Sequence, residues 1–140
     1  MADKYFIDTN ILIYAHDRST GIKHERARQL VERLWMNRQG VLSTQVLQEL
    51  CVYLRRKVAR PLTADEIRRL IYDYRSWEIV VNAPEAVIQV LEIEARYKTS
   101  FWDALILQAA EQSGAAILYS EDLASKQIYG TVRVVNPLAG

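Results

Sequence analysis

Near its start the chain runs apolar, breaks at a polar triplet and turns apolar again, in "YFIDTNILIYA". Tyr5, Phe6 and Ile7 form the short unbroken apolar run expected of a strand buried on both faces. Asp8, Thr9 and Asn10 mark a turn into a helix over about residues 10–15, carrying Ile11, Leu12, Ile13 and Tyr14. A longer helix over about 21–37 places Ala27, Leu30, Val31, Leu34 and Trp35 at helical spacing. "GVLST" predicts a brief strand opening into a helix at about 45–58. Thr63 to Tyr74 predict another helix, introduced by "LTADE", where Thr63 and Glu66 have the spacing of a capping box. "WEIVVN" predicts a third strand, and Pro84, at a first helical position, starts a helix running to about Tyr97. "SFWDALILQAAEQSG" predicts a helix closed by Gly114; "AAILYS" and "VRVV" predict the last two strands.

About five strands alternating with helices predict an α/β fold with a mostly parallel central sheet covered on both faces. At 140 residues the chain is expected to form one domain, residues 1–140, around one core. In such sheets ligands bind beyond the carboxyl ends of the strands. Acidic residues gather at those places. Asp8 follows the first strand, and Asp122 follows "AAILYS". Glu49 lies early in the helix after "VLS", and Asp103 opens the helix "FWDALILQAA". At 100° per residue, Asp103 shares its side of that helix with Ile106, Leu107 and Ala110, the apolar inward side. A carboxylate aimed inward is costly unless something satisfies it, and a cation would do so.

Each acid also has a plainer reading. Asp8, Thr9 and Asn10 all suit helix capping, and Asp8 is expected to face the site while its neighbours cap. Ser100 and Asp103 have capping-box spacing, Asp122 can cap "DLASKQ", and Glu49 alone reads as a surface acid.

Composition narrows the chemistry. The net charge of +1 provides no overall field for a polyanion, so nucleic-acid binding must use a local patch. "LRRKVARP" crowds Arg55, Arg56, Lys57 and Arg60 together, which reads equally as a solvated helix face. A single cysteine, Cys51, forms no internal disulfide and has no cluster of partners for zinc. No run approaches the roughly 18 apolar residues of a membrane span, and "MADKYFIDTN" lacks the layout of a secretory signal, so a cytoplasmic protein is expected. Four carboxylates without His or Cys partners suit a hard ion such as magnesium, which prefers oxygen ligands, and do not suit zinc. His16 and His24 read as surface residues, Cys51 as a packed thiol, Trp102 as core with a base-stacking platform as the alternative, and Trp35, Tyr14 and Tyr53 as core or subunit contacts.

"FIDTNILIYA", the glutamate of "QVLQEL", "SFWDALILQAA" and "LYSEDL" together resemble the PIN-domain nucleases, and more narrowly the VapC-type toxins of bacterial toxin–antitoxin pairs. The likeness runs from Tyr5 to Pro137. It implies an α/β/α sandwich in which Asp8, Glu49, Asp103 and Asp122 bind Mg2+ or Mn2+ and cut RNA, leaving a 5′-phosphate and a 3′-hydroxyl. Asn10 and Ser120 match positions where the family often puts a small polar residue, and Ser120 stands where threonine is common. Glu121 competes with Asp122 for the fourth acid; Asp122 is chosen because it would point the same way as Ser120 along a continued strand. Arg55, Arg56, Lys57, Arg60, Lys98 and Lys126 are the candidates for drawing RNA in. The resemblance also implies a cognate antitoxin protein, which could place an arginine among the carboxylates, and a homodimer. Leu54, Val58, Leu62, Leu70 and Ile71 would supply the dimer contact. Two alternatives within this fold are a housekeeping RNA-processing nuclease and a non-catalytic module that binds RNA or protein. A phosphotransferase with Asp8 as nucleophile is disfavoured, because Asn10 stands where a second acid is wanted.

Overall fold

Phe6 and Ile7 have no exposed surface, and that burial places the first strand at the centre of the molecule. The computed structural model describes residues 3–123 and 127–139. Strand β1 (Tyr5–Ile7) pairs in parallel with β2 (Gly40–Ser43) on one side and with β4 (Ile117–Tyr119) on the other. Beyond β2 lies β3 (Glu78–Val80), and beyond β4 lies β6 (Val132–Val135), both parallel to their neighbours. The last strand, β5 (Ile128–Tyr129), pairs antiparallel with β6. The sheet order is β3-β2-β1-β4-β6-β5, so the chain winds one way from β1 and the other way from β4. The crevice beyond the carboxyl ends of β1 and β4 is therefore the topological switch point.

Among the described residues six α-helices connect the strands: α1 (Thr9–His16), α2 (Ile22–Asn37), α3 (Thr44–Arg56), α4 (Ala64–Tyr74), α5 (Pro84–Tyr97) and α6 (Phe101–Ser113). Ile11, Leu12, Ile13 and Ala15 are all buried, so α1 lies inside the protein rather than on its surface. It packs against α2 and α3. Helix α6 crosses β2, β3, β4 and β6, and α5 covers it through a small core of Ala86, Val90, Ala104 and Leu105. Local chemistry sets most ends. Thr63 and Glu66 form the full capping box, Pro84 sits at the start of α5, and Gly114 closes α6 at φ 77°. Among the described residues no helix is long and apolar enough to cross a membrane.

Several expectations need correction. Among the described residues the sheet has six strands where about five are expected, because Ile128–Tyr129 forms a hairpin with β6 across Gly130 and Thr131. Gly130 has φ 61°, the geometry of a tight two-residue hairpin turn, and two residues are too few to show a period. The five residues expected to supply the dimer contact do not form an open face. Leu54 is buried, and Val58, Leu62, Leu70 and Ile71 pack against the core because α3 and α4 fold onto each other. Exposed apolar side chains include Val52 on α3, Tyr72 on α4, and Val87, Ile88 and Leu91 on α5. His16 is half-buried rather than free in solvent: it shares a 2.6 Å hydrogen bond with the Tyr74 hydroxyl, and burial holds its ring down to about 4. His24 bonds the Tyr14 carbonyl. Cys51 is half-buried against the core, as expected of a packed thiol.

Candidate active site

Asp8 is the residue at which β1 becomes α1. Its backbone is extended (φ −69°, ψ 157°), the geometry of an N-cap, and its side chain accepts the Thr9 N–H at 2.6 Å. Asp8 thus caps α1 itself, while Thr9 and Asn10 turn their side chains to other acids, the reverse of the expected division. The reason is positional: Thr9 is already the first helical residue. The other oxygen of Asp8 accepts the Ser120 hydroxyl at 2.8 Å, across from the end of β4. The backbone joins the same two strand ends through Asp8 N–H and the Tyr119 carbonyl at 2.9 Å. Asp8 is 5% exposed, and burial pushes its carboxyl up to about 6. The bonds from Ser120 and Thr9 pull it down; the charges of Asp122 and Asp103 add to the rise.

The remaining acids come from three other segments. Glu49 lies in the second turn of α3, exposed, where its carboxylate accepts the Thr9 hydroxyl at 2.6 Å. Asp103 lies in the first turn of α6, whose cap is Ser100: the Asp103 N–H donates to its hydroxyl at 3.1 Å. Among the described residues the reciprocal bond of a capping box is not formed, and the half-buried Asp103 lines the cleft instead. Asp122 follows β4 and accepts a short bond from the Asn10 amide. Burial raises its carboxyl, with the charges of Asp103 and Glu121 adding and Asn10 opposing. Glu121 turns the other way. It accepts the Tyr14 hydroxyl at 2.6 Å and pairs with Lys23 at 2.8 Å, and these partners hold its carboxyl low.

Asp8, Glu49, Asp103 and Asp122 line one cleft of about 530 Å3 at the switch point. Among the described residues none of the four forms an ion pair with lysine or arginine. Nor do three of them stand close enough together there to complete a metal cage. The donor set is nonetheless wholly oxygen, from four carboxylates with Thr9, Asn10 and Ser120 behind them. That fits a hard cation such as magnesium, which keeps several waters and needs few protein ligands, and it does not fit zinc.

Of the basic run, Lys57 lines the cleft; Arg55, Arg56 and Arg60 are exposed outside it. Lys98, the left-handed C-cap of α5, is also exposed and outside the cleft. Lys126, with Ala124 and Ser125 of "DLASKQ", lies outside the described residues. Trp102 is not core: it is 62% exposed and lines the cleft, as does the half-buried Tyr53. Trp35 and Tyr14 are half-buried and packed against the core. The sequence reading also passed over Gln45 and Gln48 and took Thr9 as a cap. A signal for the α3 residues existed: Gln45, Gln48, Glu49, Val52, Tyr53 and Lys57 recur at helical spacing and all line the cleft.

The PIN-domain family profile matches residues 5–130, and the chain belongs to that family. Its fold is that of VapC-type toxins. A toxin–antitoxin complex from Klebsiella pneumoniae superposes with a TM-score of 0.69 at 22% identity, covering 96% of this chain and 98% of that one. Mycobacterium tuberculosis VapC20, described as a Sarcin-Ricin loop cleaving toxin, gives 0.65 at 20% identity over 85% of this chain and 90% of its own. DNA-bound VapBC from Salmonella typhimurium gives 0.61 at 20% identity, covering 95% and 97%. A search of curated protein sequences found no match.

Proposed function

We propose that this PIN-domain protein is a Mg2+- or Mn2+-dependent endoribonuclease and the toxin of a type II toxin–antitoxin pair. The observation that carries this reading is the convergence of four carboxylates, from four separate segments, on one cleft where no described cation pairs with them. Asp8, Glu49, Asp103 and Asp122 are the residues that would hold the divalent ion, with water completing its shell. When bound, such an ion sets positive charge beside the scissile phosphate and makes water a better nucleophile. The chain's own residues do the positioning. Ser120 and the Thr9 N–H hold Asp8, the Thr9 hydroxyl aims Glu49, and the Asn10 amide engages Oδ2 of Asp122. Glu49 or Asp122, both on the cleft wall, takes a proton from the attacking water. The water oxygen bonds to phosphorus and the bond to O3′ breaks. A proton passes to O3′, leaving a 3′-hydroxyl and a 5′-phosphate.

The partner follows from the charge. An antitoxin segment carrying an arginine would satisfy the carboxylates with bidentate bonds and exclude RNA. The complexes among the structural neighbours support this reading. The test is cleavage of single-stranded and structured RNA by purified protein with Mg2+ or Mn2+, beside EDTA and Asp103→Asn controls. Metal-dependent cutting that disappears in Asp103→Asn is expected. Equal cutting by the variant would sink the proposal.

A further inference from the structure

Two of the three tryptophans are used for packing. Trp35 and Trp77 lie against Tyr74, with ring centroids 4.7 and 5.3 Å from it, and Trp77 is 7% exposed. Trp102 is different. It is the second residue of α6, its one aromatic ring contact among the described residues is a near-perpendicular one with Phe101 at 5.1 Å, and it is 62% exposed on the cleft wall beside Asp103. Its backbone is anchored: the buried Gln45 amide of α3 donates to the Trp102 carbonyl at 3.2 Å. A large apolar ring held at the mouth of a charged cleft loses the burial that normally stabilises it. On α3, at its C-cap, stands Lys57, which lines the same cleft and forms no ion pair among the described residues.

From this arrangement we infer that Trp102 and Lys57 form a nucleotide subsite flanking the acids: a nucleobase stacks on Trp102, and Lys57 neutralises a backbone phosphate. The inference takes RNA as the ligand from the reading above and goes beyond it to the residues that position the strand. A nucleic acid offers a flat base and an anion at each step, the two chemistries that a free indole and a free ammonium accept. Aromatic stacking of this kind tolerates any base, since every base has a π-face. Trp102 is therefore a positioning residue. It holds the strand in register while the carboxylates act.

The test is binding of hexauridylate, and of the same backbone with its bases removed, measured in EDTA so that no metal-dependent turnover intervenes. The readouts are tryptophan fluorescence and anisotropy. Wild type should bind the intact oligonucleotide roughly 5- to 150-fold more tightly than the abasic one, the range of one base–aromatic stack. Trp102→Ala should lose that preference, and Trp102→Phe should recover part of it. Lys57→Gln should weaken both oligonucleotides alike and lower the salt slope by about 0.7. Absence of binding, or an undiminished base preference in Trp102→Ala, overturns the subsite; an indole reserved for a protein partner gives that second result. The subsite and the nuclease can fail separately. Base-dependent binding without cleavage keeps the subsite and removes the nuclease. Cleavage with the KM of Trp102→Ala unchanged keeps the nuclease and removes the subsite.

Discussion

Asp8→Asn is expected to make the metal-free protein more stable at neutral pH while abolishing RNA cleavage. Burial displaces the Asp8 carboxyl from its ordinary 3.8 to about 6. Between those values the folded state binds more protons than the unfolded state. Stability therefore falls as pH rises through that window and stays low above it. The displacement corresponds to about 3 kcal/mol at neutral pH. Asparagine does not ionise, so it escapes this cost, and its Oδ1 can still accept the Thr9 N–H. Its amide nitrogen must donate to Ser120 where the carboxylate accepted, and that reversal offsets on the order of 1 kcal/mol. A net gain of about 2 kcal/mol remains above about pH 7 and vanishes near about pH 4.

The assay is urea denaturation of both proteins in EDTA across that range, and the comparison must be between the two. His16 titrates in the opposite sense: burial lowers it from 6.5 to about 4, so its contribution is lost as pH falls through that interval. Both proteins carry His16, so their difference isolates Asp8. A difference that stays flat with pH, or a variant less stable at neutral pH, would refute the argument that burial strains this carboxylate.

Three further outcomes follow from the same geometry. Gly40→Ala would set a Cβ 2.2 Å from the Trp77 ring, and this overpacking should cost about 1–3 kcal/mol in urea titration. Thr9→Val keeps the shape but removes the 2.6 Å bond to Glu49; a loss of about 1 kcal/mol, roughly fivefold in kcat/KM, is expected with little change in Tm. Mg2+ or Mn2+ at about 100 times its Kd should stabilise wild type by about 2.7 kcal/mol in thermal unfolding, reversibly with EDTA, and should leave Asp103→Asn unmoved.

Sequence alone determined what acts within a turn or two of chain. The apolar run before Asp8, the Thr63–Glu66 box, Pro84 and Gly114 each constrain their own backbone, so helices α2 to α6 and the parallel strands were legible with small errors at their ends. The four acids were legible too, because the carboxyl ends of parallel strands share one edge of a sheet whatever the details of packing. The two-residue strand β5 was not, since it exists only through its pairing with β6.

Tertiary structure decided which way neighbouring side chains face. Asp122 lines the cleft while Glu121 does not, because Tyr14 and Lys23, from a distant part of the chain, hold Glu121 elsewhere. Phe101 packs onto the α5–α6 core and its neighbour Trp102 is left open, although both read alike as apolar residues at a helix start. The stripe from Leu54 to Ile71 is apolar in any reading, yet only the folding of α4 onto α3 turns it inward. Periodicity ranks residues by their preference for water. It carries no information about which partner, arriving from far along the chain, will satisfy that preference.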